Sequence, residues 1–302
     1  MIETAQLLLI ATTVLITFAF VGYVAAFVFA KQAVKSKVTV AVGTDGLGAE
    51  DSPAAPTTPS APAKGAGRGV VWFASMLSKV ALVTLTVSLV TRGLSTGHAP
   101  FANHYEFAVS FAWGMILAHI LFEWRYKVRT LALALMPVIL AMLIYATTLS
   151  YEASPLVPAL QNSPLLTMHV FTAALGYGAA AVGFAAAVMY LIAPKVKWKG
   201  WPKQDKLDEI GYASVVATFP LLTIMIVLGA IWANIAWGRY WSWDPKETAA
   251  LVTWLVYGGY LHARVTRNWR GSRSAWLLIL GFAAILFTYF GNLFFGGMHA
   301  YA

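Results

Sequence analysis

The chain has 302 residues, of which 59% are hydrophobic and 11% charged, with a formal net charge of +9 and no cysteine. That much apolar surface cannot be hidden inside a soluble domain, so the composition implies a polytopic membrane protein. The basic excess falls in short clusters between apolar runs, which is a topology signal rather than a nucleic-acid groove, and the missing cysteines exclude disulfides, thiolate-held metals and thiol redox chemistry by the chain itself.

A membrane-crossing helix needs about 20 apolar residues. Eight runs meet or approach that length: 5–30, 70–92, 106–124, 130–150, 168–193, 213–235, 248–263 and 275–296. The expected fold is therefore all-α, with about eight transmembrane helices. The first run is too long for a signal-peptide core and has no basic region before it, so it reads as a retained helix. Residues 44–66 (TDGLGAEDSPAAPTTPSAPAKGA) are too poor in apolar side chains to build a core and read as a linker. This divides the chain into an N-terminal helix and its flank (1–43), a Pro/Ala-rich linker (44–69) and a seven-helix core (70–302). The seventh run is the shortest, reaching spanning length only if its Asp-Pro start is included.

The basic residues fall in alternate loops. Lys31, Lys35 and Lys37 follow run one, Lys64 and Arg68 precede run two, and Arg125, Lys127 and Arg129 separate runs three and four. Five lysines between 195 and 206 separate runs five and six, and Arg264, Arg267, Arg270 and Arg273 separate runs seven and eight. All belong on the cytoplasmic side by the positive-inside rule, which turns both termini outward. Arg92 stands apart, at the outer end of run two. The outer segments are then 93–105, 151–167, 236–247 and 297–302.

One of these outer segments reads WGRYWSWDPKE, residues 237–247. Its end is a helix start: Asp244 as cap, Pro245 in the first helical position and Glu247 three residues after the cap. The crowded rings, Trp232, Trp237, Tyr240, Trp241 and Trp243, fit two readings. They could be an interfacial aromatic belt, or a platform for a large planar apolar ligand. Arg239 and Lys246 flank the rings and are either solvated interface charges or partners for a ligand's carboxylates.

Sorting the histidines by loop parity puts His169, at the outer end of run five, and His299, beyond run eight, on the side of the tryptophans. Each could be an ordinary interfacial residue, or the two imidazoles could ligate a heme iron from opposite faces. His262 closes run seven about 26 Å from Pro245 at 1.5 Å per residue, too deep to join that pair; its depth makes it either a functional candidate or a partner for a carboxylate or backbone carbonyl. His119 lies one turn before Glu123, and a helix-surface His–Glu pair accounts for it. His98 and His104 read as polar residues of the first outer loop.

WGRYWSWDPKETAALVTWLVYGGYLHAR resembles the tryptophan-rich "WWD" signature of heme-handling cytochrome c biogenesis proteins, and most closely that of the CcsA (ResC) family of the System II pathway. FANHYEF (101–107), MHVFTAALGY and GNLFFGGMHAYA resemble further family segments, so the likeness covers about residues 70–302 in the expected order. It implies that His169 and His299 are axial ligands of an external heme b, held by Trp237, Trp241, Trp243 and Asp244, with Arg239 beside them. It also implies that His262 binds heme within the lipid bilayer together with a histidine of a CcsB/ResB-type partner. The implied activity is that of a cytochrome c heme lyase subunit. It would deliver heme to the extracytoplasmic side and take part in thioether attachment to the Cys-x-x-Cys-His motif of apocytochrome c, in a bacterial plasma membrane or, alternatively, a thylakoid. Residues 1–69 and His119 match no family motif. Two other classes stay open: a CcmC-like carrier that hands heme on without forming the covalent bond, and a scaffold whose aromatic belt meets lipid alone.

Overall fold

The computed structural model describes residues 1–42, 66–153, 155–161, 164–198 and 200–299. Within them lie eight long helices and no strand. They are α1 (Ile2–Val42), α2 (Ala66–Thr96), α3 (His104–Tyr126), α4 (Ala132–Thr148), α5 (Pro164–Ile192), α6 (Gln204–Trp237), α7 (Pro245–Arg267) and α8 (Ser272–Phe290). Seven of the eight are long and apolar enough to cross a membrane, so the chain is a multi-pass membrane protein. The exception is α7, long enough but diluted by Trp254, Tyr257, the Gly258-Gly259 pair, Tyr260, His262 and Arg264. Thr253, Tyr257 and Tyr260 point inward and are buried, so this helix presents an aromatic and hydroxyl-bearing face to its neighbours α6 and α8. Most of the linker expected over 44–69 lies outside the described residues, and helix α2 already begins at Ala66.

Side-chain pairs sort the helix ends into two groups. At one end, Arg92 of α2 donates to Glu106 of α3 (2.9 Å) and to the backbone carbonyls of Tyr151 and Glu152 after α4. At the other, Arg264 of α7 forks onto Asp208 of α6 (2.8 and 2.7 Å), and the Lys206 ammonium lies 4.8 Å from the centre of the Tyr126 ring at the end of α3. Arg92 and Glu106 are 3% and 1% exposed. Arg92 is thus an internally neutralised strut rather than a stray topology charge, which explains its exceptional place in the sequence pattern. Asn103 caps α3 by accepting from the Glu106 N–H (2.9 Å), so FANHYEF is a helix start that carries this buried carboxylate.

Helix α1 packs on α2 and α4. Its Tyr23 hydroxyl donates to Glu123 of α3 and lies 3.4 Å from Nε2 of His119, which is itself 3.4 Å from Glu123. The expected His119–Glu123 pair is present, and Tyr23 completes it from a different helix. Helices α3 and α5 meet backbone to backbone: a side chain at Gly114 would overlap the Ala174 carbonyl, and one at Gly178 would overlap Gly114. Such small-residue crossings let membrane helices approach until their main chains touch.

Candidate functional site: an aromatic cavity between two histidines

A cavity of about 120 Å³ opens among α5, α6, α7 and the segment after α8. His169, Trp241, Lys246 and His299 all line it, with Tyr177, Tyr240 and Tyr289 among the other walls.

His169 is set by a gap in the facing helix. Gly229 of α6 has no side chain, and the imidazole fills the vacated space so closely that a Cβ there would lie 2.7 Å from Cε1 and 2.8 Å from Nδ1. From that position Nδ1 lies 2.6 Å from the Met225 carbonyl, one turn earlier on α6. A carbonyl can only accept, so Nδ1 carries the proton and Nε2 keeps the lone pair.

His299 is set by Asp244. Its Nδ1 lies 2.8 Å from Oδ2, and the Met298 N–H donates to Oδ1 at 2.6 Å. The same carboxylate caps α7 through the Lys246 N–H (3.1 Å), in a complete capping box with Glu247 and with Pro245 behind it, as the sequence predicts. Burial pushes the Asp244 carboxyl pKa up, but the His299 imidazole and the two backbone N–H groups outweigh it and hold the group down at about 2. It is an anion at neutral pH, so Nδ1 of His299 is its donor and Nε2 is the nitrogen suited to ligation. A carboxylate behind a metal-binding histidine fixes the tautomer and strengthens the donor.

The tryptophans separate by position. Trp241 lines the cavity. Trp237 stands behind His299, its ring centre 4.9 Å from the imidazole, and Trp232, which also lines the cavity, packs against both while donating to the Ala159 carbonyl (3.2 Å). Trp243 is 69% exposed, edge-on to Trp241 at 5.7 Å, with a left-handed φ of 58°. Arg239 is also exposed. Lys246 is the cation that reaches the cavity, 5.1 Å from the centre of the Phe107 ring. His262 lies elsewhere, on an exposed stripe of α7 with Val252, Leu255 and Gly259. Lys246 is one of the two flanking cations for which the sequence left both readings open, and Gly229 and Met225 are the parts of the site that sequence reasoning left unassigned. These two carry no signal beyond a lone glycine in a spanning helix.

Two imidazoles, each with Nδ1 engaged, line one aromatic cavity in a multi-pass membrane protein. Residues 101–299 match the family described as Cytochrome C assembly protein. A relative from Guillardia theta, "Cytochrome c biogenesis protein CcsA", is 37% identical over 250 residues, covering 74% of this chain and 83% of its own. Relatives of the same description from Gloeobacter violaceus and Synechococcus elongatus are 34% and 36% identical over 289 and 276 residues, covering 74% of this chain and 84% and 85% of theirs. The chain belongs to the CcsA family of cytochrome c assembly proteins, and its role lies in cytochrome c biogenesis.

Proposed function

We propose that this cavity binds heme b between His169 and His299, and that the chain takes part in attaching that heme to apocytochrome c together with a CcsB/ResB-type membrane partner. The observation that carries the reading is the shared preparation of the two histidines. Each spends Nδ1 on an acceptor, the Met225 carbonyl or the Asp244 carboxylate, and each lines the same cavity. The rest of the lining fits the ligand: Trp241, Tyr240 and Tyr289 offer ring surface, and Lys246 offers a cation to a propionate.

The bound heme would supply an iron and two vinyl groups, each vinyl taking the sulfur and the hydrogen of one substrate thiol across its double bond with no net oxidation. The protein's contribution is orientation and exclusion of water. His169 and Trp241 would hold the ring, and Lys246 would meet a propionate. Trp237 and Trp232 back His299. His262, exposed on α7, suits a second site completed from outside the chain, with Gly259 one turn away leaving open space beside it. The alternation of basic loops supports placing the attachment site on the extracytoplasmic face.

The test is an absorption spectrum of the purified chain, with and without its partner, for wild type and for His169→Ala/His299→Ala. The expected result is a bis-imidazole Soret and α/β spectrum that the double substitution removes. An unchanged spectrum in the double variant sinks the ligand assignment. Holocytochrome formed by the chain and its partner alone is the corresponding test of attachment.

A further inference from the structure

Helix α2 carries a charge deep inside the membrane. Lys79 precedes the buried Arg92 by about 20 Å along the helix, at 1.5 Å per residue. Contacts with α1 fix its depth: Ser88 donates to the Ala5 carbonyl (2.7 Å), and a Cβ at Gly22 would lie 3.0 Å from that of Ala74. Lys79 falls between these two levels, beside the middle of the α1 span Ile2–Ala30. It is exposed, and it pairs with none of the described carboxylates. A lysine near a helix end bends its ammonium to the interface, but this one sits at least about three turns from either end of the span Gly67–Thr96. An ammonium facing hydrocarbon at that depth is costly, and charged groups so placed pair with other groups.

The lysine belongs to a continuous face. Trp72, Met76, Val83, Val87 and Val90 recur with it at helical spacing, all exposed and all opposite the buried Ala74 and Ala81 that meet α1. At its outer end this stripe forms one lip of a cleft of about 620 Å³, with Trp113 of α3 and Phe171 of α5 among the other walls. The Trp113 N–H is already donated to the Thr86 hydroxyl (2.9 Å), so that wall offers apolar surface. A second copy of the chain has no carboxylate to set against Lys79. Among the described residues, every Asp and Glu of a helix lies within about two turns of a helix end. We propose that this stripe of α2 seats a membrane-spanning helix of a different chain, and that an aspartate or glutamate on that helix pairs with Lys79 near the middle of the bilayer. The proposal rests on, and deepens, the membrane-partner part of the reading above, and it does not involve the heme cavity. The valines and the cleft receive the apolar side chains of the guest helix. Lys79 sets its register, because a slide along the stripe would leave both charges unpaired in hydrocarbon.

The chain has no cysteine, so Val83→Cys supplies a single thiol on the stripe, and Val227→Cys a single thiol on an exposed face of α6. Each full-length variant is labelled with benzophenone maleimide and reconstituted with a CcsB/ResB-type chain in vesicles of phosphatidylethanolamine and phosphatidylglycerol. After irradiation, cross-linked peptides are read by mass spectrometry, and a pull-down reports the complex itself. The probe at 83 should cross-link to a spanning peptide of the other chain that contains Asp or Glu, and the probe at 227 should not. Adding Lys79→Leu should lower the yield about tenfold, the scale of one polar pair between membrane helices, and Lys79→Arg should keep it. With the complex present, cross-links from position 83 to lipid alone or to a second copy of this chain overturn the proposal, as does an unaltered yield in Lys79→Leu. If the wild-type chain retains no such partner in the pull-down, the membrane-partner reading itself has failed.

Discussion

Gly229→Ala separates the stability of this protein from the quality of its site. A methyl group at this position would stand 2.7 Å from Cε1 and 2.8 Å from Nδ1 of His169. Ordinary carbon contacts lie near 3.5–4.0 Å, so the ring must retreat by roughly 1 Å. The hydrogen bond from Nδ1 to Met225, now 2.6 Å, would then stretch past the range in which such bonds hold. Its loss costs about 1 kcal/mol. Alanine in a helix interior returns about 0.8–1 kcal/mol relative to glycine. The two nearly cancel, so the fold should melt at close to the wild-type temperature while the histidine is displaced and loses its orienting acceptor. Outer-partner losses of this kind weaken metal binding by about 10–100-fold. A hemin titration followed at the Soret band, run beside a thermal melt of the same preparation, reads both quantities. Wild-type affinity and spectrum in Gly229→Ala would refute the claim that this glycine sets His169.

Glu106→Ala should destabilise the fold by roughly 3–5 kcal/mol, because it strands a buried guanidinium, and Arg92→Met/Glu106→Met should recover much of that loss; denaturant or thermal unfolding in detergent measures both. Trp243→Gly should raise stability by about 1 kcal/mol by relieving a left-handed residue, and should leave hemin affinity within about twofold because this ring lies outside the cavity lining; a large loss of affinity would return Trp243 to the binding surface. Tyr23→Phe removes a hydroxyl donated to a largely buried carboxylate and should cost about 1.5–3 kcal/mol, with faster proteolysis between α1 and α2 as the sign that α1 has loosened.

Local rules carried much of the sequence reading. Asp244-Pro245-Lys246-Glu247 encodes its own helix start, and the structure forms that capping box. Loop parity placed His169 and His299 at one end, and both reach one cavity. What stayed hidden depends on contacts between distant segments. Arg92 looks like an inconsistent charge until Glu106 and the turn after α4 close around it. Trp237, Trp241 and Trp243 look equivalent in sequence. The left-handed backbone at Trp243 sends its ring outward, while Trp237 is turned behind His299. Lys246 and Arg239 look alike in sequence, each an interface charge or a ligand's partner, but the position of Lys246 in the first turn of α7 brings it to the cavity wall. Gly229 gives no local signal, since its importance comes from a ring on another helix.

The contact between α3 and α5 turns a packing detail into a ruler. With no side chain between the two backbones at Gly114, Ala174 and Gly178, neither helix can roll or slide without lifting off the other. His169 leaves α5 less than two turns from Ala174, so its azimuth and height follow from that crossing. The capped start of α3, with Asn103 and the Arg92–Glu106 strut, is tied to the same backbone. A segment far from any ring or metal ligand therefore acts as the datum from which the fixed wall of the cavity is measured.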